Sequence, residues 1–223
     1  KFFDVLTVAQ VGTTGLQTVN HNLGAIPGMI ILKNTTTGAT GWGVYHRSIP
    51  TSKLFLQSTS AAIAETIIQN VTATSFDMNL NVMGNNNGDV FVAYLFAHDT
   101  ASTGLIQCGS FTTDASGNAT VTLGWEPQYV MVKRTDVTSD WYVADTMREY
   151  NINGGNYLSP NTVAVETSGS TSFKLSNTGF TAATNANSTW IYLAIRRGPM
   201  ALPTVGTQVY NAIARTGTGA AAT

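Results

Sequence analysis

Charge is scarce in this chain. Only 10% of its 223 residues are Asp, Glu, Lys or Arg, against roughly 25% in an average soluble protein. The formal net charge is −1, so there is no basic footprint for nucleic acid and no polybasic patch for a membrane surface. No apolar run approaches the ~20 residues of a membrane helix, and no membrane insertion is expected. Cys108 is the only cysteine, which excludes an intrachain disulfide. No Lys, Arg or His lies near it in sequence to lower its pKa, so it reads as a small buried hydrophobe and not as a reactive thiol. The three histidines, His21, His46 and His98, lack the short spacing of a zinc site, and no cysteine cluster supports them. No G-x-S-x-G elbow, Cys–His arrangement or phosphate loop is present either. The expectation is a chain that does no chemistry and holds neither metal nor cofactor.

What the chain does have is a phrase used twice. Leu23 to Lys33 reads LGAIPGMIILK, and Leu123 to Lys133 reads LGWEPQYVMVK. Leu23 matches Leu123, Pro27 matches Pro127, Trp42 matches Trp141 and Tyr94 matches Tyr192. So slow a drift in offset implies one fold copied once, with small deletions in its loops.

Within each copy the pattern is β. Met29 to Leu32 and Val130 to Val132 are continuous apolar runs, as in a strand covered on both faces. Ser75 to Met78 and Ser172 to Leu175 alternate, as in strands with one wet face. Phe91 to Ala97 and Trp190 to Ile195 are rich in aromatic and branched residues. Turn clusters separate these runs at 35–41, 84–89, 114–118 and 151–156. Only Thr59 to Gln69 has a composition suited to a helical turn. The fold class predicted is all-β: two tandem antiparallel β-sandwich domains related by internal duplication, plus a C-terminal extension strand. The expected boundaries are 1–100 and 101–199, each with an independent core, then 200–223 as linker and strand. Gln208 to Ala214 resembles the opening strand of each copy (106–114, and less closely 2–10). It reads as the start of a third unit or as a strand that joins subunits or neighbouring modules. The chain opens on Lys1, and an N-terminal segment is expected to have been removed or left out.

The carboxylates offer two further readings, a glycosidase pair and a cation loop. Asp136, Asp140 and Asp145 fall around one hairpin, and Glu65, Asp77, Asp89 and Glu166 are scattered. A glycosidase needs two carboxyls across a cleft, whereas Asp136 and Asp140 read more simply as a solvated turn. The aromatics carry more interest. Trp42 and Trp141 are matched, which implies a shared packing role. Trp125 is unmatched, since Ala25 stands in its place, and a ring in that bend either packs against the strand below or is partly exposed and stacks on a sugar or partner chain; it is the first candidate for such a contact. Tyr150, Tyr157 and Tyr210 are weaker candidates for the same contact, and so is Tyr45.

The run NHNLGAIPGMIILKN with GWGVYHRSI, KLFLQSTSA and FVAYLFAHD is similar to an uncharacterised β domain that recurs in virion and tail-fibre proteins of tailed bacteriophages, many from marine hosts. TLGWEPQYVMVKR with WYVADTMR, FKLSNTGF and WIYLAIRRG resembles the companion half of the same unit. The resemblance covers nearly the whole chain. It implies a structural virion component, often one module of a long and commonly trimeric fibre. Its partners would be other virion proteins, further copies of itself, and a glycan or protein on the host surface. A capsid decoration protein is the alternative, and a polysaccharide depolymerase using Asp140 and Glu166 is a third reading.

Overall fold

A computed structural model describes residues 1–37, 40–83, 86–101 and 103–197. The first half runs β1 (Phe3–Ala9), β2 (Leu16–Asn20), β3 (Pro27–Asn34), β4 (Trp42–His46), β5 (Leu54–Phe55), β6 (Ile68–Gln69), β7 (Ser75–Asn79), one helical turn α1 (Leu80–Met83) and β8 (Val90–Ala97). The second runs β9 (Ile106–Thr112), β10 (Asn118–Thr122), β11 (Pro127–Arg134), β12 (Trp141–Asp145), a 3-10 turn (Thr146–Arg148), β13 (Gly155–Tyr157), β14 (Thr167–Ser170), β15 (Phe173–Ser176), β16 (Gly179–Ala183) and β17 (Thr189–Arg196). The protein is all-β.

Each half is a sandwich of a large and a small antiparallel sheet. The large sheets have the orders β1-β8-β3-β4-β5 and β9-β17-β11-β12; the small ones are β2-β7-β6 and β10-β16-β15. The order and register repeat between halves. Lys33 lies opposite Trp42 and Val92, and Lys133 opposite Trp141 and Ile191, which puts Leu193 at the place of Tyr94 and corrects the expected match to Tyr192 by one residue. The register shifts after Pro27 and again after Pro127. In the small sheets, Val19 faces Phe76 just as Val121 faces Phe180. The two alternating runs therefore hold different places. Ser75 to Met78 lies in the centre of its sheet, whereas Phe173 to Leu175 forms an edge strand.

The continuous apolar runs have a clear cause. Ile30 and Leu32 point into the first sandwich, while Met29 and Ile31 point the other way. Val130 and Val132 face the second sandwich, and Met131 faces out of it. The outward faces of the two large sheets meet in a third core of Met29, Ile31, Val44 and Leu54 against Ile106, Cys108, Trp141, Ile191 and Leu193. The expectation of independent cores is corrected here: each half has its own core, and a third is shared. Hydrogen bonds cross the same boundary. Trp141 Nε1 donates to the Phe55 carbonyl at 3.0 Å, Lys133 Nζ to that of Thr59 at 3.2 Å, and Ala62 N to that of Thr135 at 2.9 Å. Lys133 is fully buried, and desolvation brings its pKa down to about 8. At Gly28 an added Cβ would lie 2.7 Å from the Cβ of Cys108. Gln128 holds the matching place in the second half, so Gly28 is the residue that admits β9.

The segment 59–69 makes no helix. It runs as bends with an antiparallel bridge between Lys53 and Ile63, ends in β6, and bonds the second half through the backbone of Thr59 and Ala62. The expected strand at Gln208 to Ala214, the linker before it and Tyr210 lie outside the described residues.

Candidate functional site

Successive residues of a strand face opposite sides, and on β12 this separates two aromatics. Trp141 enters the shared core, with 1% of its surface exposed. Tyr142, next in sequence, faces the second sandwich near its edge. There it meets Tyr157 of β13 edge-on, with ring centres 5.2 Å apart. It also approaches Phe173 at 6.2 Å and Trp190 at 6.1 Å. Trp190 starts β17 and lies parallel to Phe111 of β9 at 6.2 Å. The rings form one wall of an open cleft of about 300 Å³, and Ser139, Ser172, Thr184 and Asn185 complete it.

The polar groups of this cleft are not spent on the protein. Among the described residues, the hydroxyls of Ser139, Ser172, Tyr142 and Tyr157 and the side-chain amide of Asn185 have no hydrogen-bond partner. Trp190 Nε1 and Thr184 Oγ1 are shut off from solvent and still have no partner. Buried polar groups are normally paired. No Asp, Glu, Lys, Arg or His lines the cleft.

The first half has a pocket in the corresponding place. Thr40, Gly43 and Phe91 line it where the second half has Ser139, Tyr142 and Trp190. It encloses about 180 Å³ among Leu32, Ile67 and Phe91, with Lys53 at its wall. Lys53 pairs with Glu65 at 2.6 Å. Phe55 and Phe91 line this pocket, but no tyrosine or tryptophan does, so a wall of tyrosine and tryptophan rings is a feature of the second half.

Of the aromatics singled out from sequence, Tyr157 reaches this cleft, half-buried. Trp125 does not, and its expected exposure is corrected: it is only 3% exposed and belongs to the second core. The cause is the bend, where Gly124 has φ +82° and the amides of Leu123 and Gly124 both donate to the Thr178 carbonyl. The bend is thereby tied down onto the turn before β16, and position 125 is carried inward. Its counterpart Ala25 packs on the first core in the same way. Tyr150 is corrected likewise. It is 3% exposed, and burial pushes its hydroxyl pKa up. It lies beneath a separate, wider depression with Glu126, Glu149, Asn177 and Arg197. Tyr45 is buried in the first core. Tyr142 and Trp190 were missed as site residues. The signal for Tyr142 was available, since it is a ring where the first half has Gly43.

The titratable residues serve the architecture. Each histidine Nδ1 accepts a backbone N–H: Leu23 for His21, Ser48 for His46 and Cys108 for His98. Cys108 is fully buried, and desolvation raises its thiol pKa. Asp140 accepts from Asn161, Glu166 pairs with Arg148, and Asp136 with Arg134. Asp89 ties two turns together by accepting from Asn34 Nδ2 and Asn86 N, which lowers its pKa. Among the described residues no group of three His, Cys, Asp or Glu is placed to hold a metal ion. None of their helices is long and apolar enough to cross a membrane.

The fold and cleft define a double-sandwich β protein with one uncharged aromatic cleft. Over residues 2–199 the chain matches the family described as a domain of unknown function (DUF7483), and it belongs to that family. The match spans both sandwiches together with the core they share. No curated protein matches the chain, and no solved structure does.

Proposed function

We propose that this protein is a non-enzymatic structural component of a tailed-phage virion, a tail-fibre or appendage module that contributes to attachment at the host surface. The observation that carries the reading is the cleft of Tyr142, Tyr157 and Trp190: rigid rings and unspent hydroxyls, on a body stiffened by three cores, suit recognition by contact. The resemblance of the repeated runs to phage fibre modules supplies the setting. Copies in a trimeric fibre would multiply a weak contact through effective concentration. Other virion proteins would be its fixed neighbours, and a glycan or protein of the host its transient one.

The test is position and competition. Antibody-labelled particles viewed by electron microscopy should carry the label on tail appendages, and the purified chain should decorate host cells and slow phage adsorption. Label confined to head facets would replace this reading with capsid decoration. Release of reducing ends from host polysaccharide, lost in Asp140→Asn or Glu166→Gln, would replace it with a depolymerase.

A further inference from the structure

We infer that the cleft between β12, β13 and β17 is a subsite for a single uncharged pyranose ring, an inference that rests on the attachment reading and names its ligand class. A pyranose has apolar C–H faces and a rim of hydroxyls, so a site for it needs aromatic surface beside uncommitted donors and acceptors. Tyr142 and Tyr157 supply half-buried rings, and Trp190 and Phe173 lie beneath them. Ser139, Ser172, Thr184 and Asn185 supply side-chain donors and acceptors without a partner among the described residues. Two groups make this more than a surface hollow. Trp190 is 2% exposed, yet its Nε1–H has no acceptor, and Thr184 Oγ1 beside the same cleft is also buried without a partner. Unpaired buried groups call for an explanation, and a ligand whose entry shifts the rings that cover them is one.

Charge and size narrow the class. With no ionisable acid or base on the wall, a carboxylated or aminated sugar would bring a charge that nothing here compensates. A volume of about 300 Å³ suits one ring and not an extended chain. The first half, with Gly43 and Phe91 in place of Tyr142 and Trp190, lacks the platform, so one site per chain is expected.

The experiment titrates the full chain with the methyl pyranosides of glucose, galactose, mannose and N-acetylglucosamine, read by saturation-transfer NMR and intrinsic fluorescence. Glucuronate and glucosamine serve as charged counterparts. At least one neutral probe should bind with a Kd on the order of millimolar, as befits one ring with few contacts. Its charged counterpart should bind at least ~10-fold more weakly. Thr184→Val and Trp190→Phe should each weaken binding about fivefold to tenfold, the first with the unfolding midpoint unchanged because it removes one hydrogen-bonding group and little volume, the second with a midpoint lowered by the smaller ring in the core. Phenylalanine already stands at the matching place, Phe91. Should Trp190→Phe fail to fold, Tyr157→Ala tests the rim from a half-buried position. Absence of binding by every neutral probe overturns the inference, and so does unchanged affinity in these variants. If the chain decorates host cells while no sugar binds, the sugar inference falls and attachment stands. If a sugar binds and cells stay bare, the cleft stands and attachment falls.

Discussion

Trp141→Ala tests whether the two sandwiches are mechanically one protein. The ring is 1% exposed, lies in the core shared by both halves, and donates from Nε1 to the Phe55 carbonyl of the other half at 3.0 Å. Truncation removes a large buried ring, which costs about 3–5 kcal/mol. It also removes one donor to the Phe55 carbonyl, which still accepts from Ser58 N at 3.2 Å, so this adds at most about 1 kcal/mol. Trp42 occupies the same register position in the first half but is only partly buried, stacked on Tyr94 at 6.3 Å. Trp42→Ala should cost about 1–2 kcal/mol, since less apolar area leaves water. The assay is urea denaturation followed by circular dichroism, with linear extrapolation to water. The parent chain should unfold in one transition because the shared core couples its halves. A loss below about 1.5 kcal/mol for Trp141→Ala, or equal losses at the two tryptophans, would refute the reasoning.

Two further outcomes follow from buried groups. His46 is fully buried and must be neutral: its Nδ1 accepts from Ser48 N, so Nε2 carries the proton and donates to the Tyr192 carbonyl at 3.1 Å. Desolvation, foremost, depresses its pKa from 6.5 to about 4. The unfolded chain therefore takes up a proton as pH falls below 6.5, while the folded chain resists until about 4, so stability falls across that window. Between pH 7 and pH 5 the loss should be about 2 kcal/mol from His46 alone, and His21 and His98 shift in the same direction. Stability that stays flat over that range by urea titration would contradict this. Trp125→Ala should cost about 3–5 kcal/mol as a core truncation; a thermal midpoint that stays put while attachment weakens would return that ring to the surface.

Much of the fold was legible because side-chain period reports burial. The runs at Met29 to Leu32 and Val130 to Val132 had to be covered on both faces, and they are. What the pattern left open was the identity of the second cover. A continuous apolar run fits a helix layer, another subunit or the sister half equally well, since each removes the same surface from water. The marker of a sister-half contact was Gly28, a lone small residue matched by Gln128, which reads as close backbone approach only once β9 is seen against it. The 59–69 segment misled for a related reason. Its alanines carry helix propensity, but backbone groups of Ala62 and Thr59 bond the second half, and tertiary pairing outweighs propensity of that size.

The site was legible only through differences between the halves. An unmatched bulky residue has two explanations: it fills space that the other half lacks, or it faces solvent and a ligand. Trp125 is the first kind, because its bend is tied inward at Thr178. Tyr142 is the second kind in part, since it stands over Trp190 and Phe173 with its hydroxyl unspent. Sequence separates the two only through strand parity. Trp141 lies opposite Lys133 in register, and its ring packs in the shared core beside Ile191. Its neighbour Tyr142 must then face the other side, towards Trp190 and the second sandwich. Trp125 sits in a bend, where no such parity holds, and only the glycine before it signals the direction of the ring. Where two halves share a sandwich topology, contact residues are therefore best sought on strands, at unmatched positions one residue away from a matched core anchor.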